Sequence, residues 1–376
     1  MSVSTRDRVE RVTELDGVRG LAISLVLVFH YVHTSLQDVT PGTPLAYLKQ
    51  ALSFTWSGVD LFFVLSGFLI GGILLDHRES GNYFRVFYMR RVCRIFPLYY
   101  LHLALFVLLI AFGAGQLPGL NALFDISGLP LWSYATFTQN IVMASKSVMG
   151  SDWLGVTWTL AIEEQFYLVL PLIVRFAPRR ALPWILGGIL GMAPALRAAT
   201  QDAWAMIGTP WRADSLMAGA LLAYFVRQAG FIEAVTAGRR WLYTLFWLLL
   251  GGAVATVFIT AQVPFNLTFT FLWLACLYTA LVLLVLVDRE GWIAGLFRQR
   301  ILVWLGTVSY GVYLFHQAVN MLLHGLIRYL PPTIMELEGL AVSCLALIVT
   351  LALAGVSFHY FERPIINYGH RYRYER

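Results

Sequence analysis

Apolar residues in this chain come in long continuous stretches divided by short polar segments, rather than in the strict alternation of half-buried strands. Ten stretches have a length suited to crossing a hydrocarbon layer about 30 Å thick as helices. They cover residues 16–35, 52–75, 94–113, 154–174, 182–200, 213–228, 241–261, 267–287, 301–327 and 338–360. The sixth is short and rich in Gly and Ala, and Arg19, Arg94 and Arg212 sit at or beside three of the boundaries. A backbone in lipid must satisfy its polar groups inside helices or a closed barrel, so the pattern predicts an all-α integral membrane protein of about ten spans. An even number of spans places both termini on one side. The first apolar run, 21–32, is broken by polar groups and lacks a small-residue cleavage pattern, so its helix is expected to be retained. About sixteen residues follow the tenth stretch, which predicts one membrane domain over 1–376 with no appended soluble domain.

Composition agrees. Of 376 residues, 59% are hydrophobic and 13% charged, with a mean hydropathy of +0.69. A soluble domain carries roughly 25% charged residues, so about half the usual polar surface is missing. The net charge of +6 alone would suit a nucleic-acid partner. Its distribution argues for a membrane instead. With a cytoplasmic N-terminus, the inner segments hold Arg6, Arg8, Arg11, Arg19, five arginines from Arg78 to Arg94, and further arginines after every second span. Lys49, Lys146, Arg197, Arg212 and Arg328 alone fall outside. That asymmetry puts both termini in the cytoplasm. Cys93, Cys276 and Cys344 lie within or at the ends of apolar segments without metal-ligand spacing, and are read as packing residues with no disulfide and no metal. The longest connection, 114–153 on the outer side, carries Trp132, Tyr134 and Trp153; a functional loop and an interfacial aromatic belt account for it equally well.

Ionisable groups are costly in a bilayer, so each inside a span is a functional candidate. Arg19 and His30 are eleven residues apart, about 20° from a whole number of helical turns, and share a face with a rise of roughly 16 Å between them. This places a cation near the cytoplasmic surface and an imidazole near mid-membrane. Asp60 is expected to pair with His30 and hold its tautomer. Glu163 and Glu164 are adjacent, about 100° apart, so one faces the same cavity while the other binds Arg212 or an interfacial donor. Spacing does not choose between them. Arg90, Arg91 and Arg94 lie at the inner side of the third span, with Arg91 and Arg94 on one helical face as a two-armed anion site, or as ordinary inner-face charge. Tyr310, Tyr313 and His316 follow at steps of three, lining a cavity wall or forming a packed aromatic stripe. Arg212 and Asp214 read as an ion pair closing the outer end of the sixth span. A Gly-rich phosphate loop, a Cys/His metal cluster and a serine elbow are all missing from the sequence.

Taken together these segments resemble the membrane acyltransferase family 3. The matching runs are Leu15-Asp16-Gly17-Val18-Arg19-Gly20 through His30, Gly58 through Gly67, Arg91-x-x-Arg94 with Phe96-Pro97, and Trp158 through Tyr167. Later come Arg212-Ala213-Asp214, Ser309 through His316, and Phe361-Glu362-Arg363-Pro364. The resemblance implies a ten-helix multi-pass protein, in a bacterial cytoplasmic membrane, with its N-terminus inside. It implies transfer of an acyl group, often acetyl, from cytoplasmic acyl-coenzyme A to a hydroxyl of an extracytoplasmic acceptor, a cell-envelope glycan or a small molecule such as a macrolide. On that footing Arg19, Arg90, Arg91 and Arg94 anchor the coenzyme, His30 is general base or acyl carrier, and Asp60, Glu163 and Glu164 assist it. Trp158, Arg212, Asp214, Tyr310, Tyr313 and His316 then line the substrate path. The rival class is a secondary transporter, which also needs intramembrane His, Asp and Glu. Duplicated halves and interrupted helices are its usual marks, and this chain has no evident internal repeat.

Overall fold

Ten long helices coincide with the ten apolar stretches in the computed structural model, which describes residues 12–126, 128–200, 203–259 and 267–375. They are α1, Thr13–Val28; α2, Gly58–Asp76; α3, Tyr83–Ala111; α4, Trp158–Phe176; and α5, Leu182–Ala199. The remainder are α6, Ala213–Val226; α7, Arg239–Ile259; α8, Leu267–Val287; α9, Arg300–Arg328; and α10, Leu337–Ser357. Every regular element among the described residues is helical. Arg6, Arg8 and Arg11, and the last two residues of the seventh stretch, lie outside the described residues. α3 starts eleven residues ahead of its apolar stretch, so Arg90, Arg91 and Arg94 are all helical.

Length and composition qualify seven helical segments to cross a membrane, and an eighth if the bent pair Pro210–Val226 and Phe231–Ala237, meeting at 99°, is one span. α4 and α9 fall short through polarity rather than length: α4 carries Glu163, Glu164 and Arg175 in 19 residues, and α9 carries Ser309, His316, Gln317 and Asn320. Those groups turn inward, and large apolar side chains such as Trp184, Leu248 and Ile348 face outward, as a lipid-contacting surface requires. The three free cysteines divide: Cys93 is buried, whereas Cys276 and Cys344 are exposed on the outward surface.

Glycine sets how closely the helices approach. An added Cβ at Gly67 of α2 would overlap the Leu216 carbonyl of α6, and one at Gly219 of α6 would overlap the Val64 carbonyl of α2. α1 meets α9 the same way, Gly20 against the Leu302 carbonyl and Gly306 against that of Asp16. Small residues that let backbones touch are the usual means of helix association where water no longer drives packing. α1 ends in a π-helical turn, Phe29–His33, and α10 in another, Phe358–Glu362. The connection after α3 folds on itself around Leu120, Phe124, Tyr134, Met143 and Trp153. Tyr134 is 2% exposed and Trp153 4%, so of Trp132, Tyr134 and Trp153 only Trp132, 60% exposed, suits an interfacial belt.

These contacts set an expectation. Gly219→Val forces α2 from α6 and is expected to lower stability by at least the roughly 1–3 kcal/mol typical of overpacking. Gly187→Ala on α5, where nothing lies within 4 Å, is expected to leave it unchanged. Thermal unfolding of the two purified variants in detergent, followed by size-exclusion chromatography, compares them.

Candidate active site

One face of α2 builds the wall of a partly open cavity of about 270 Å³. Val59, Phe62, Phe63, Ser66, Leu69, Ile70 and Ile73 line it, recurring at the three- and four-residue steps of a helical stripe. At about 1.5 Å per residue the stripe runs some 21 Å along the helix. Opposite stand Arg19 of α1, Arg91, Arg94 and Ile95 of α3, Thr159, Leu160, Glu163 and Tyr167 of α4, and Ser309, Tyr310 and Tyr313 of α9. Four segments separated by up to 290 residues thus meet α2 around one space.

The charge around that space is unbalanced. Arg19 lies 3.3 Å from Asp16 on its own helix, while among the described residues no ion pair holds Arg91 or Arg94. Glu163 is the carboxylate on the lining. Its Oε1 accepts from Ser66 Oγ at 2.5 Å, and Tyr167 donates to the same Ser66 oxygen at 3.3 Å. Glu164 turns away, its Oε1 buried with no partner among the described residues, and neither glutamate reaches Arg212. Arg90, expected beside its neighbours, leaves the lining and donates through Nε and Nη2 to the Tyr372 carbonyl at 3.1 and 2.7 Å. The helix explains it: residue 90 is 100° from 91, whereas 91 and 94 share a face. With Arg19 paired to Asp16, Arg91 and Arg94 stand without ion pairs near Glu163 in a space walled by Phe, Leu and Ile, an arrangement suited to an anion because unpaired cations in an apolar surround are costly.

His30 is not on this lining. Its Nδ1 is 3.0 Å from the Val26 carbonyl and 3.3 Å from Nε2 of His316. His316 Nδ1 is 2.7 Å from the Tyr313 carbonyl. A ring nitrogen facing a carbonyl donates to it, which assigns a proton to Nδ1 of both rings. His316 Nε2 is then the acceptor facing His30 Nδ1–H. Tyr313 divides the two regions. Its hydroxyl, 2.7 Å from Thr159 Oγ1, donates to the Val156 carbonyl at 2.9 Å, and its ring is 5.6 Å from that of His316. Tyr310 donates to the Ile95 carbonyl at 2.7 Å and stays on the lining.

Asp60 does not meet His30. Its Oδ1 accepts from Arg212 Nη2 at 2.7 Å and from Ser215 Oγ at 3.1 Å. On α2 it falls in step with Val64, Gly67 and Gly71, the stripe facing α6, and not with Val59, Phe62 and Ser66. Arg212 and Asp214 likewise do not pair with each other. Asp214 accepts from Arg197 Nη2 of α5 at 2.7 Å, and all four groups are buried. The Arg212 guanidinium lies 3.6 Å from the Phe271 ring centroid, with Phe63 and Trp158 at 5.6 and 5.8 Å. Arg212–Asp60 and Arg197–Asp214 thus form two buried pairs behind Phe63, with Trp158 beside Arg212, and Trp158, Arg212 and Asp214 are all off the cavity lining. Ser66, Thr159 and Tyr167 were not singled out in the sequence, although Ser66 keeps the α2 stripe and Tyr167 is one turn from Glu163. Among the described residues no group of three or more His, Cys, Asp or Glu side chains is placed to hold a metal ion.

Comparison with known proteins follows the same outline. A family model described as an acyltransferase domain matches residues 12–359. A peptidoglycan O-acetyltransferase, OatA, of Listeria monocytogenes is 27% identical over 97% of this chain and 57% of its own length. A putative peptidoglycan O-acetyltransferase, YrhL, of Bacillus subtilis is 27% identical over 95% and 55%. A putative O-acetyltransferase of Staphylococcus aureus is 25% identical over 93% and 56%. The chain thus spans a little over half the length of these relatives. No solved structure matches it significantly.

The buried pairs set a second expectation. Arg212→Ala strands Asp60 in an apolar surround and is expected to destabilise by about 3–5 kcal/mol, and Asp60→Asn combined with it is expected to cost well under the sum of the two. Thermal unfolding across the four-member cycle measures the coupling; additive losses would contradict the pairing.

Proposed function

We propose, for a chain that belongs to the acyltransferase domain family, that it is a multi-pass O-acetyltransferase of the bacterial cytoplasmic membrane. Its donor is cytoplasmic acetyl-coenzyme A and its acceptor a hydroxyl of a cell-envelope saccharide. Both termini are cytoplasmic, and the polar helices α4, α6 and α9 complete ten spans. The observation that carries the donor is the excess of Arg19, Arg91 and Arg94 over Glu163 around a long apolar cavity. Coenzyme A brings about four negative charges to such a site, and bidentate guanidinium contacts are suited to its phosphates. The stripe from Ile73 to Val59 gives its flexible arm an apolar path toward mid-membrane. The acceptor class rests on the relatives, whose names specify peptidoglycan.

His30 Nε2 is the general base in this reading. It takes the proton of the acceptor hydroxyl as that oxygen attacks the thioester carbon; the C–S bond breaks and the coenzyme leaves as thiolate, which recovers the proton. Protonated His30 holds one N–H toward the Val26 carbonyl and the His316 lone pair, so His316 orients the ring and stabilises its cation. This is the role first expected of Asp60. Tyr313 stands between thioester and base, and its side chain must swing for the two to meet. Glu163, through Ser66 and Tyr167, fixes the cavity wall and balances part of the arginine charge when the donor is absent.

Transfer from radiolabelled acetyl-coenzyme A to envelope glycans by protein in nanodiscs tests the reading. His30→Ala is expected to lower kcat by at least a thousandfold, and His316→Ala by about ten- to a hundredfold. Arg91→Ala and Arg94→Ala are expected to raise the donor KM about tenfold each with a smaller change in kcat. His30→Ala transferring at the wild-type rate would overturn the mechanism. Uptake of solute by reconstituted vesicles without donor consumption would favour a transporter.

A further inference from the structure

The chain's last described segment folds back against Asn82 and Arg90, next to the cavity arginines Arg91 and Arg94 in sequence. After the short helix Arg363–Gly369 the backbone is pinned at three places. Asn82 Nδ2 donates to the Arg373 carbonyl at 2.9 Å, Glu375 N–H donates to Asn82 Oδ1 at 3.0 Å, and Arg90 holds the Tyr372 carbonyl as above. These anchors set the ring of Tyr374 flat on the imidazole of His77, centroids 3.8 Å apart and planes within 7°. The Arg90 guanidinium lies 5.2 Å from the same ring's centroid. Tyr374 is thus held by an aromatic plane and a cation, and its buried hydroxyl has no hydrogen-bond partner among the described residues.

The slot lies next in chain to residues of the cavity, though none of its three side chains is on the lining. His77 follows Ile70 and Ile73 at steps of three and four, so it extends the cavity stripe beyond the end of α2. Arg90 adjoins Arg91. Burial pushes the Tyr374 phenol up while Arg90 and Arg91 draw it down, which puts a cavity arginine within electrostatic reach of this ring. Burial also holds His77 below the usual imidazole range, so its face is neutral at neutral pH. A neutral aromatic face with a guanidinium alongside binds any flat π-system of the right size, and purines are of that size.

We propose that the slot formed by His77 and Arg90 receives the purine ring of the nucleotide donor, and that Tyr374 is its intramolecular stand-in, displaced when the donor binds. The proposal rests on the donor reading above and adds a place for the adenine end. With the base in the slot, the phosphates fall beside Arg91 and Arg94 and the arm runs along the α2 stripe. The tail segment then competes with the donor, so the free protein closes its own cytoplasmic mouth.

Binding of acetyl-coenzyme A and of S-acetylpantetheine, which has the same reactive arm without the nucleotide, separates the outcomes in the full chain. Tyr374→Ala is expected to tighten acetyl-coenzyme A about tenfold and leave S-acetylpantetheine unchanged, while Tyr374→Phe behaves as wild type. Adding His77→Ala to Tyr374→Ala is expected to cancel the gain. Wild type binding acetyl-coenzyme A with no response to Tyr374→Ala, or equal weakening of both donors by it, would overturn the slot and leave the donor reading standing. No binding of acetyl-coenzyme A by monodisperse wild type and Tyr374→Ala alike would overturn both.

Discussion

Backbone touching backbone at a handful of glycines is the constraint from which the rest of the architecture follows. Gly67 and Gly219 press α2 onto α6, and Gly20 and Gly306 press α1 onto α9. The first contact fixes which stripe of α2 is consumed by packing, leaving the Val59–Ile73 stripe to face the cavity. The second brings His30 into register with His316, at matching depth on two helices that begin almost 290 residues apart. With bulkier residues at these points the helices would separate, and a 3.3 Å contact between two imidazole rings could not form.

Two populations of buried arginine follow from this frame and behave oppositely. Arg197 and Arg212 are matched one to one with Asp214 and Asp60 and are also stacked on rings, Phe271 above all. They have no charge left to offer and serve as ties among α2, α5, α6 and α8. Arg19, Arg91 and Arg94 converge on one cavity with Glu163; Arg19 also meets Asp16, which leaves Arg91 and Arg94 without ion pairs among the described residues. Phe63 is the partition, touching the Arg212 network with one side and the cavity with the other. A single ring therefore separates the paired cations from the cavity.

Much of this was legible in the sequence, because helix periodicity in a bilayer is a strong signal. The ten apolar stretches, the inward Arg19, and the shared face of Arg91 and Arg94 all follow from 3.6 residues per turn. Asp60 was assigned to the wrong partner although the information was present: it keeps step with Gly67 and Gly71, which mark a packing face. Arg90 was grouped with its neighbours by proximity in sequence, where a 100° rotation separates it from them. The exchange of partners between Arg197–Asp214 and Arg212–Asp60 had no local signal, since it depends on how α5 and α2 sit around α6. The His30–His316 contact was equally hidden, because nothing in either helix alone indicates that the two rings meet.

Tyr313 has a consequence that is electrical rather than chemical. Its hydroxyl is fixed to Thr159 and Val156, which holds the side chain on the cavity lining with its ring beside that of His316. For a chain seated in a bilayer, an open passage there would join two aqueous compartments across a voltage worth about 2.3 kcal/mol per elementary charge at 100 mV. Ions would leak through any continuous water file. A ring fixed at that point by two hydrogen bonds opposes such a file without any charged group.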